Sequence, residues 1–140
     1  MIKHVNDGKC AKCLMIMQGV DQRLIDWFAS FQKANPDAHV AWGLRGEKDQ
    51  NDAFRRSNSN AKWGQSAHNY GLAIDLFRIT ITGAEWGAPW FKNIMGPDVK
   101  KHPELTWGGT FARFVDLPHV EIAGWEQLVK DGKAKLCSLA

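Results

Sequence analysis

The sequence predicts an α+β fold, with one small, mainly antiparallel sheet and flanking helices in a single domain. Strand-like apolar runs occur at residues 39–43, 72–77 and 115–122, and helical patterns separate them at irregular intervals. A regular alternation of strands and helices would instead indicate a parallel sheet. A chain of 140 residues is long enough for one real core and too short for two ordinary domains. We therefore expect residues 1–140 to form one domain, with residues 1–18 as an irregular lead-in.

The composition excludes several classes of protein. A hydrophobic content of 44% and a charged content of 24% indicate a globular chain rather than a disordered one. The net charge is +3, but the basic residues do not cluster into a stripe, so we expect no nucleic-acid partner. No run approaches the roughly 20 apolar residues of a membrane span, and none resembles a signal peptide. We expect a protein that starts in the cytoplasm without stable membrane insertion.

An amphipathic pattern predicts the first helix. Its apolar positions recur three or four residues apart: Val20, Leu24, Trp27, Phe28 and Phe31. Asp21 is the expected N-cap, and the Asn35-Pro36 pair ends the helix. The pattern of residues 47–56 predicts a second, more polar helix, in which the buried side chains would be Ala53 and Phe54.

The middle strand follows a polar loop. Two sets of residues alternate along it: Leu72, Ile74 and Leu76 on one face, and Ala73, Asp75 and Phe77 on the other. Residues 79–82 would extend this strand or start a hairpin partner. Further on we expect four elements: a Trp-rich short helix or aromatic lid over 85–95 broken by Gly96-Pro97, a loop over 103–111, a last strand over 115–122 and a closing helix over 125–129.

Two stretches combine a histidine with an acid beside an apolar run. His68 and Asp75 have six residues between them, and Asp116 and His119 open the last predicted strand. A carboxylate in an apolar run is costly unless its charge is compensated, and a metal ion is one compensation. Two imidazoles and one carboxylate meet the ligand count of a catalytic zinc site, which keeps one position for water. We therefore predict that His68, Asp75 and His119 bind one zinc ion, and that Asp116 handles the proton of the water. The alternative is a buried structural histidine and two structural acids.

The three cysteines include half of a second candidate zinc site. Cys10 and Cys13 have the spacing of a zinc half-site, but no second pair of this kind exists. His4 and Cys137 are the residues that could complete such a site. An odd number of cysteines argues against a disulfide framework. We interpret His39 as structural or exposed.

Two motifs carry a resemblance to a known family. The pattern Ser-x-His-x-x-Gly-x-Ala-x-Asp at residues 66–75, with Asp-x-x-His at 116–119, resembles the zinc D-alanyl-D-alanine carboxypeptidase and L-alanyl-D-glutamate endopeptidase family. These enzymes cut the short peptides of bacterial peptidoglycan, and single-domain bacteriophage endolysins belong to the family. Residues 42–45 with Gln50, and Trp107-Gly108-Gly109, give weaker support. The resemblance implies a fold like that of hedgehog and D-Ala-D-Ala peptidase domains.

The resemblance also implies roles for individual residues. The metal ligands would be His68, Asp75 and His119. Asp116 would be the general base, and Arg45 would stabilise the oxyanion or hold a substrate carbonyl or carboxylate. Ser66 would hydrogen-bond to the substrate. Glu121, two residues beyond His119 on the same strand face, could orient a ligand histidine, with a solvated surface acid as the alternative.

Asp116 bears on the choice between branches of the family. Family carboxypeptidases usually carry Glu at this position, so Asp favours the phage endopeptidase branch, with peptidoglycan stem peptides as the substrate. Leu44 stands where the family usually has Tyr. Only 18 residues follow Ile122, so we expect no separate wall-binding domain. Among endolysins, that absence indicates a phage of a Gram-negative host. We also expect a monomer that is released to the wall by a holin or by lysis. The alternatives are a D-alanyl-D-alanine carboxypeptidase or dipeptidase, or a non-catalytic, zinc-containing wall-binding module.

Overall fold

A computed structural model of the chain describes residues 10–137. The helices are α1 (Ala11–Ile16), α2 (Gln22–Ala34), α3 (Glu47–Arg55), α4 (Ala88–Trp90), α5 (Gly96–Val99) and α6 (Trp125–Lys130). The strands are β1 (Ala38–Trp42), β2 (Ala73–Thr80), β3 (Gly83–Glu85), β4 (Leu105–Trp107) and β5 (His119–Ile122). Two 3₁₀ turns (Ala67–Tyr70 and Gly108–Thr110) and a π-helical turn (Phe91–Met95) complete the regular structure of this part of the chain. No helix within it is both long and apolar enough to cross a membrane.

The five strands form one antiparallel sheet. Its order is β1-β2-β5-β4, and β3 forms a hairpin with the far end of β2. Asp75 of β2 lies opposite Trp42 on one side and opposite His119 on the other. The predicted α+β class with a small antiparallel sheet and flanking helices is therefore confirmed. The register brings two of the predicted ligands onto neighbouring strands.

Helix α2 covers the sheet with the predicted apolar face. Leu24, Trp27, Phe28 and Phe31 are buried, and the helix packs on β1 and β5. The N-cap prediction is confirmed, because Oδ1 of Asp21 accepts a hydrogen bond from the backbone N–H of Arg23 at 2.9 Å. The helix ends at Ala34, directly before the Asn35-Pro36 pair. Burial of this face provides much of the hydrophobic stabilisation of the sheet.

The lead-in is more ordered than we expected from the sequence. Residues 11–16 form helix α1 rather than an irregular segment, while residues 1–9 lie outside the described part. The chain at residues 16–19 packs closely on two glycines near the predicted site. A Cβ added at Gly43 would lie 2.5 Å from the carbonyl oxygen of Ile16, and one at Gly71 would lie 2.3 Å from that of Gly19. Only glycine allows such close contact at these positions.

The Gly96-Pro97 pair does not break the Trp-rich segment as predicted. The chain stays helical from Ala88 to Val99, because the wider π turn precedes Pro97 and the N–H of Gly96 bonds to the carbonyl of Phe91. Pro97 lies in the first turn of α5, where a backbone N–H would have no partner within that helix, so its missing N–H costs no hydrogen bond. Residues 105–107, which we predicted as loop, form strand β4.

Two other local predictions were wrong in ways that affect the site. The last strand begins at His119 rather than at residue 115, because Pro118 has no N–H to donate to the ladder. Asp116 therefore lies on a loop. In α3 the fully buried side chain is Gln50, whereas Phe54 is exposed. A polar residue at an inward position is not expected from hydrophobic periodicity.

Candidate active site

Three elements bring the predicted metal ligands to one point. His68 lies in the 3₁₀ turn before β2, Asp75 lies in β2, and His119 is the first residue of β5. Nε2 of His68 is 3.2 Å from Oδ2 of Asp75, and Nδ1 of His119 is 3.1 Å from Oδ1 of Asp75. One donor atom from each residue lies within 4.8 Å of the other two. The three side chains thus form a single cluster of nitrogen and oxygen donors.

The turn that carries His68 is specified by its own sequence. The side chain of Ser66 accepts a hydrogen bond from the N–H of His68, and the side chain of Asn69 accepts one from the N–H of Ser66. Gly71 ends the turn in the left-handed conformation, with φ of 71°. The cap by Ser66 and the left-handed Gly71 therefore explain the spacing of Ser, His and Gly in this pattern. Ser66 also lines the cleft, so its predicted contact with substrate stays a prediction.

A contact to the other ring nitrogen fixes the ring orientation of each histidine. Nδ1 of His68 lies 2.9 Å from the carbonyl oxygen of Gly43, which can only accept, so Nδ1 donates and Nε2 faces Asp75. Nε2 of His119 lies 2.7 Å from Oε1 of Glu121, which leaves Nδ1 facing Asp75. Histidines that bind metals usually have the other ring nitrogen held in this way. The contact also gives Glu121 a defined partner.

The donor set fits a zinc ion by chemistry and by spacing. Zinc at about 2.0–2.1 Å from nitrogen and oxygen ligands in a tetrahedron separates two such donors by roughly 3.3 Å. The observed separations from Asp75 to the two imidazoles are 3.2 and 3.1 Å. The three side chains also line a cleft, so there is space beside them for a further ligand. Such a position is what a catalytic zinc site keeps for water.

The carboxylates of the cluster favour positive charge on or near the two imidazoles. Burial alone would raise the pKa of Asp75, but the charge of His68 and the hydrogen bond from His119 hold it well below its usual range. Burial would lower the pKa of His119, but hydrogen bonds to Asp75 and Glu121 outweigh burial and raise that pKa to about 10. The carboxylates thus stabilise a cation between them, whether protons on the imidazoles or a metal ion supplies the charge.

Asp116 lies at the edge of the cluster. Its Oδ2 is 3.8 Å from Nδ1 of His119, and its side chain is 36% exposed, so it can reach both the cluster and solvent. Burial, followed by the charge of Asp75, raises the pKa of Asp116 above that of an ordinary aspartate. A raised pKa brings a carboxylate closer to the range in which general bases exchange protons.

The loop that carries Asp116 is held by residues whose role the sequence alone did not show. The backbone N–H of Asp116 donates to the carbonyl of Gly108 at 3.0 Å, and a Cβ at Gly108 would lie 2.2 Å from the carbonyl oxygen of Asp116. Nε1 of Trp107 donates to the carbonyl of Leu117 at 2.7 Å. The Trp-Gly-Gly segment therefore positions Asp116. Its presence in the resemblance was the only signal that could have pointed to this.

Arg45 lies beside Asp75. Its Nη2 is 3.7 Å from Oδ2 of Asp75, its Nη1 donates to Oε1 of Gln50 at 3.2 Å, and its guanidinium lies over the ring of Trp42 at 5.1 Å. The side-chain amide of Asn69 donates to Gln50 and to the carbonyl of Arg45. This buried network, which sequence reasoning missed, fixes the guanidinium and leaves donors directed towards the cleft.

The cleft has room for an extended ligand. A cavity of about 310 Å³ is lined by the cluster together with Ser66, Asp116 and Glu121. A second cavity of about 660 Å³ is lined by Trp42 and Trp86. Arg45 and Asp75 line both cavities, so the two cavities adjoin at these residues.

Comparisons with known proteins agree with this geometry. The family model for D-alanyl-D-alanine carboxypeptidase matches residues 59–122. The peptidoglycan L-alanyl-D-glutamate endopeptidase CwlK of Bacillus subtilis (strain 168) is 30% identical over 101 residues, which cover 61% of this chain and 60% of CwlK. The crystal structure of the L-Ala D-Glu endopeptidase ChiX of Serratia marcescens matches with a TM-score of 0.69 at 20% identity, over 84% of this chain and 90% of ChiX. The chain spans about three fifths of the length of CwlK, and the likeness to ChiX shows a common fold. The chain is thus similar to the D-alanyl-D-alanine carboxypeptidase family over residues 59–122, and to two L-alanyl-D-glutamate endopeptidases.

Proposed function

We propose that the protein is a zinc-dependent peptidoglycan peptidase that cuts between L-alanine and D-glutamate in stem peptides. The observation that carries the proposal is the convergence of His68, Asp75 and His119 at the floor of a cleft, with Asp116 and Arg45 at its sides. The names of CwlK and ChiX support the choice of bond. We further propose that it acts as a monomeric bacteriophage endolysin, which reaches the wall from the host cytoplasm during lysis.

His68, Asp75 and His119 would hold the zinc ion. Bound there, zinc would supply a Lewis acid that polarises the scissile carbonyl and makes water nucleophilic near neutral pH. Glu121 and the carbonyl of Gly43 keep the two imidazoles in the required orientation. The chain's remaining task is to move a proton and to stabilise negative charge.

Asp116 is placed to move the proton. Its carboxylate accepts a proton from the attacking water as the water oxygen bonds to the carbonyl carbon of L-alanine. It then donates that proton to the nitrogen of D-glutamate as the C–N bond breaks, so that a carboxylate and an amine are released. Its loop position and its 36% exposure allow the small movement that both transfers need.

Arg45 is placed to stabilise the charge that develops on the carbonyl oxygen. Its Nη1 is engaged by Gln50, but Nη2 is 3.7 Å from Asp75, too far for a strong hydrogen bond. Nη2 can therefore donate to substrate. A cationic donor fixed in a largely buried site costs little reorganisation when the charge appears.

Product analysis tests the proposal directly. Purified muropeptides would be digested with the wild-type protein, and the new termini would be identified by mass spectrometry. We expect a new C-terminal L-alanine and a new N-terminal D-glutamate. Release of terminal D-alanine alone would show a carboxypeptidase instead, and zinc-loaded protein that binds the wall without cutting it would show a binding module.

A further inference from the structure

A second cluster of possible metal donors lies away from the cleft. Cys10 caps α1, Cys13 lies within α1, and His39 lies in β1, and all three are buried. The Sγ atoms of Cys10 and Cys13 are 3.9 and 3.6 Å from the same atom, Nδ1 of His39. One donor atom from each residue lies within 4.8 Å of the other two. The cleft chemistry described above uses none of these residues.

The geometry of this cluster fits a shared cation better than a set of hydrogen bonds. A neutral imidazole nitrogen has one lone pair, so it can accept one well-directed S–H bond, yet two thiols converge on it. A tetrahedral zinc ion, with Zn–S of about 2.3 Å and Zn–N of about 2.0 Å, separates sulfur from nitrogen by roughly 3.5 Å. The observed separations of 3.6 and 3.9 Å are close to this value.

The surroundings of the cluster support the same conclusion. The side-chain amide of Gln32, from α2, donates to the carbonyl of Ala38 at 2.8 Å and lies 3.5 Å from Sγ of Cys13. Within residues 10–137 its Oε1 is buried without a hydrogen-bond partner. An amide N–H beside a sulfur stabilises thiolate charge. A buried oxygen without a partner often indicates an ordered water or ion nearby.

We propose that Cys10 Sγ, Cys13 Sγ and His39 Nδ1 bind a second zinc ion in a buried structural site separate from the cleft. His4, one candidate from the sequence, lies outside the described residues, so a water molecule is assigned as the fourth donor. Cys137, the other candidate from the sequence, instead donates to the carbonyl of Arg45 at 3.4 Å. A divalent cation would supply the charge that stabilises a thiolate at the buried Cys13.

The site would join two elements that support the cleft. It would tie α1 to the edge strand β1 next to α2. The last residue of α1, Ile16, lies against Gly43, whose carbonyl holds the ring of His68. Loss of the second ion should therefore loosen the support of His68 while leaving the cleft donors in place. The role of this ion would be positional and not catalytic.

Cobalt substitution separates the two sites by their donors. The full chain would be reduced, stripped of metal and titrated with Co²⁺, and its absorption spectrum recorded. A thiolate ligand to cobalt gives a charge-transfer band in the near ultraviolet, whereas the nitrogen and oxygen donors of the cleft give none. We expect two equivalents of Co²⁺ per chain and this band in the wild type. His119→Ala should keep the band and lose one equivalent.

Cysteine variants complete the test. Cys13→Ser should abolish the band, while the matched control Cys137→Ser should keep it. Should Cys13→Ser fail to fold, thiol titration of the wild type decides. Two of the three thiols should be protected from a thiol reagent when zinc is bound and become reactive when it is removed. Absence of the band in both the wild type and His119→Ala, or equal thiol reactivity with and without zinc, would overturn the proposal.

Discussion

The cleft cluster (His68, Asp75 and His119) and the buried cluster (Cys10, Cys13 and His39) each contain three candidate ligands, but their surroundings differ. The cleft cluster has nitrogen and oxygen donors, lies between two central strands and has Asp116 and Arg45 beside it. The buried cluster has two sulfur donors, lies beside an edge strand and has one neutral amide next to it. Catalytic zinc sites keep a position open to substrate, and the first cluster lines a cleft whereas the second is buried. The two proposals therefore assign chemistry to the first cluster and support of the fold to the second.

The strongest effect should come from removing a donor of the cleft cluster. His68→Ala should abolish peptide cleavage and lower zinc content by one ion per chain, because the remaining two donors cannot hold the ion well. Activity would be followed by muropeptide release, and zinc by elemental analysis. His102→Ala, which removes a partly exposed histidine, is the matched control and should change neither. Cleavage at the wild-type rate by His68→Ala would contradict the assignment.

Removal of the proposed base should separate chemistry from metal binding. Asp116→Asn keeps the size of the side chain but cannot accept the proton, so we expect kcat to fall by about 10²–10⁴-fold. Zinc content should stay at the wild-type level. Asp131→Asn, on the exposed end of α6, provides the control for loss of one negative charge. Unchanged kcat in Asp116→Asn would show that Asp116 has no catalytic role.

Glu121 tests how the cleft holds its ligand histidine. Its side chain is only 13% exposed and contacts Nε2 of His119, which argues against a solvated surface acid. Glu121→Gln should weaken zinc binding at the cleft by about 10–100-fold, since His119 loses a charged partner. Competition with a metal indicator would measure this, and the thiol–cobalt band should stay unchanged. An unaltered cleft affinity would favour the surface alternative.

The smallest effect concerns a residue outside both clusters. Asp21→Ala removes the N-cap of α2 and should lower the free energy of unfolding by about 1 kcal/mol, whereas Asp21→Asn keeps an acceptor and should lose less. The side-chain hydrogen bond from Arg23 lowers the pKa of Asp21 in the folded protein. Its charged contacts therefore stabilise the fold above pH about 4 and are lost as pH falls through the lower folded pKa.

Denaturant unfolding at several pH values would check this prediction. The difference between wild type and Asp21→Ala should shrink as pH falls from about 5 towards 2. A difference that grows over this interval would contradict the sign, and zinc content should be equal in the two proteins.

Local patterns in the sequence predicted the parts of the molecule that local physics determines. Period-two alternation located Asp75 in a strand, and helical periodicity located α2. His119 also lies within a predicted strand, although the observed strand begins at this residue. These residues could be identified because each acts within a short segment whose apolar pattern is strong. Their roles in catalysis and metal binding stay predictions.

Features that depend on contacts distant in sequence could not be predicted in the same way. Asp116 lies on a loop because Gly108 and Pro118 fix the chain there. Gln50 is buried because it bonds to Arg45 and Asn69, although its own helix is polar. His39 meets Cys10 and Cys13 only through the packing of α1 on β1. Single-segment patterns contain no information about such partners.

Diffraction from crystals of zinc-loaded protein, recorded on both sides of the zinc absorption edge, would test the central claim most directly. The account predicts an anomalous peak about 2.0–2.2 Å from Nε2 of His68, from a carboxylate oxygen of Asp75 and from Nδ1 of His119. A protein that cleaves stem peptides and contains zinc, but shows no peak between these three side chains, would contradict it.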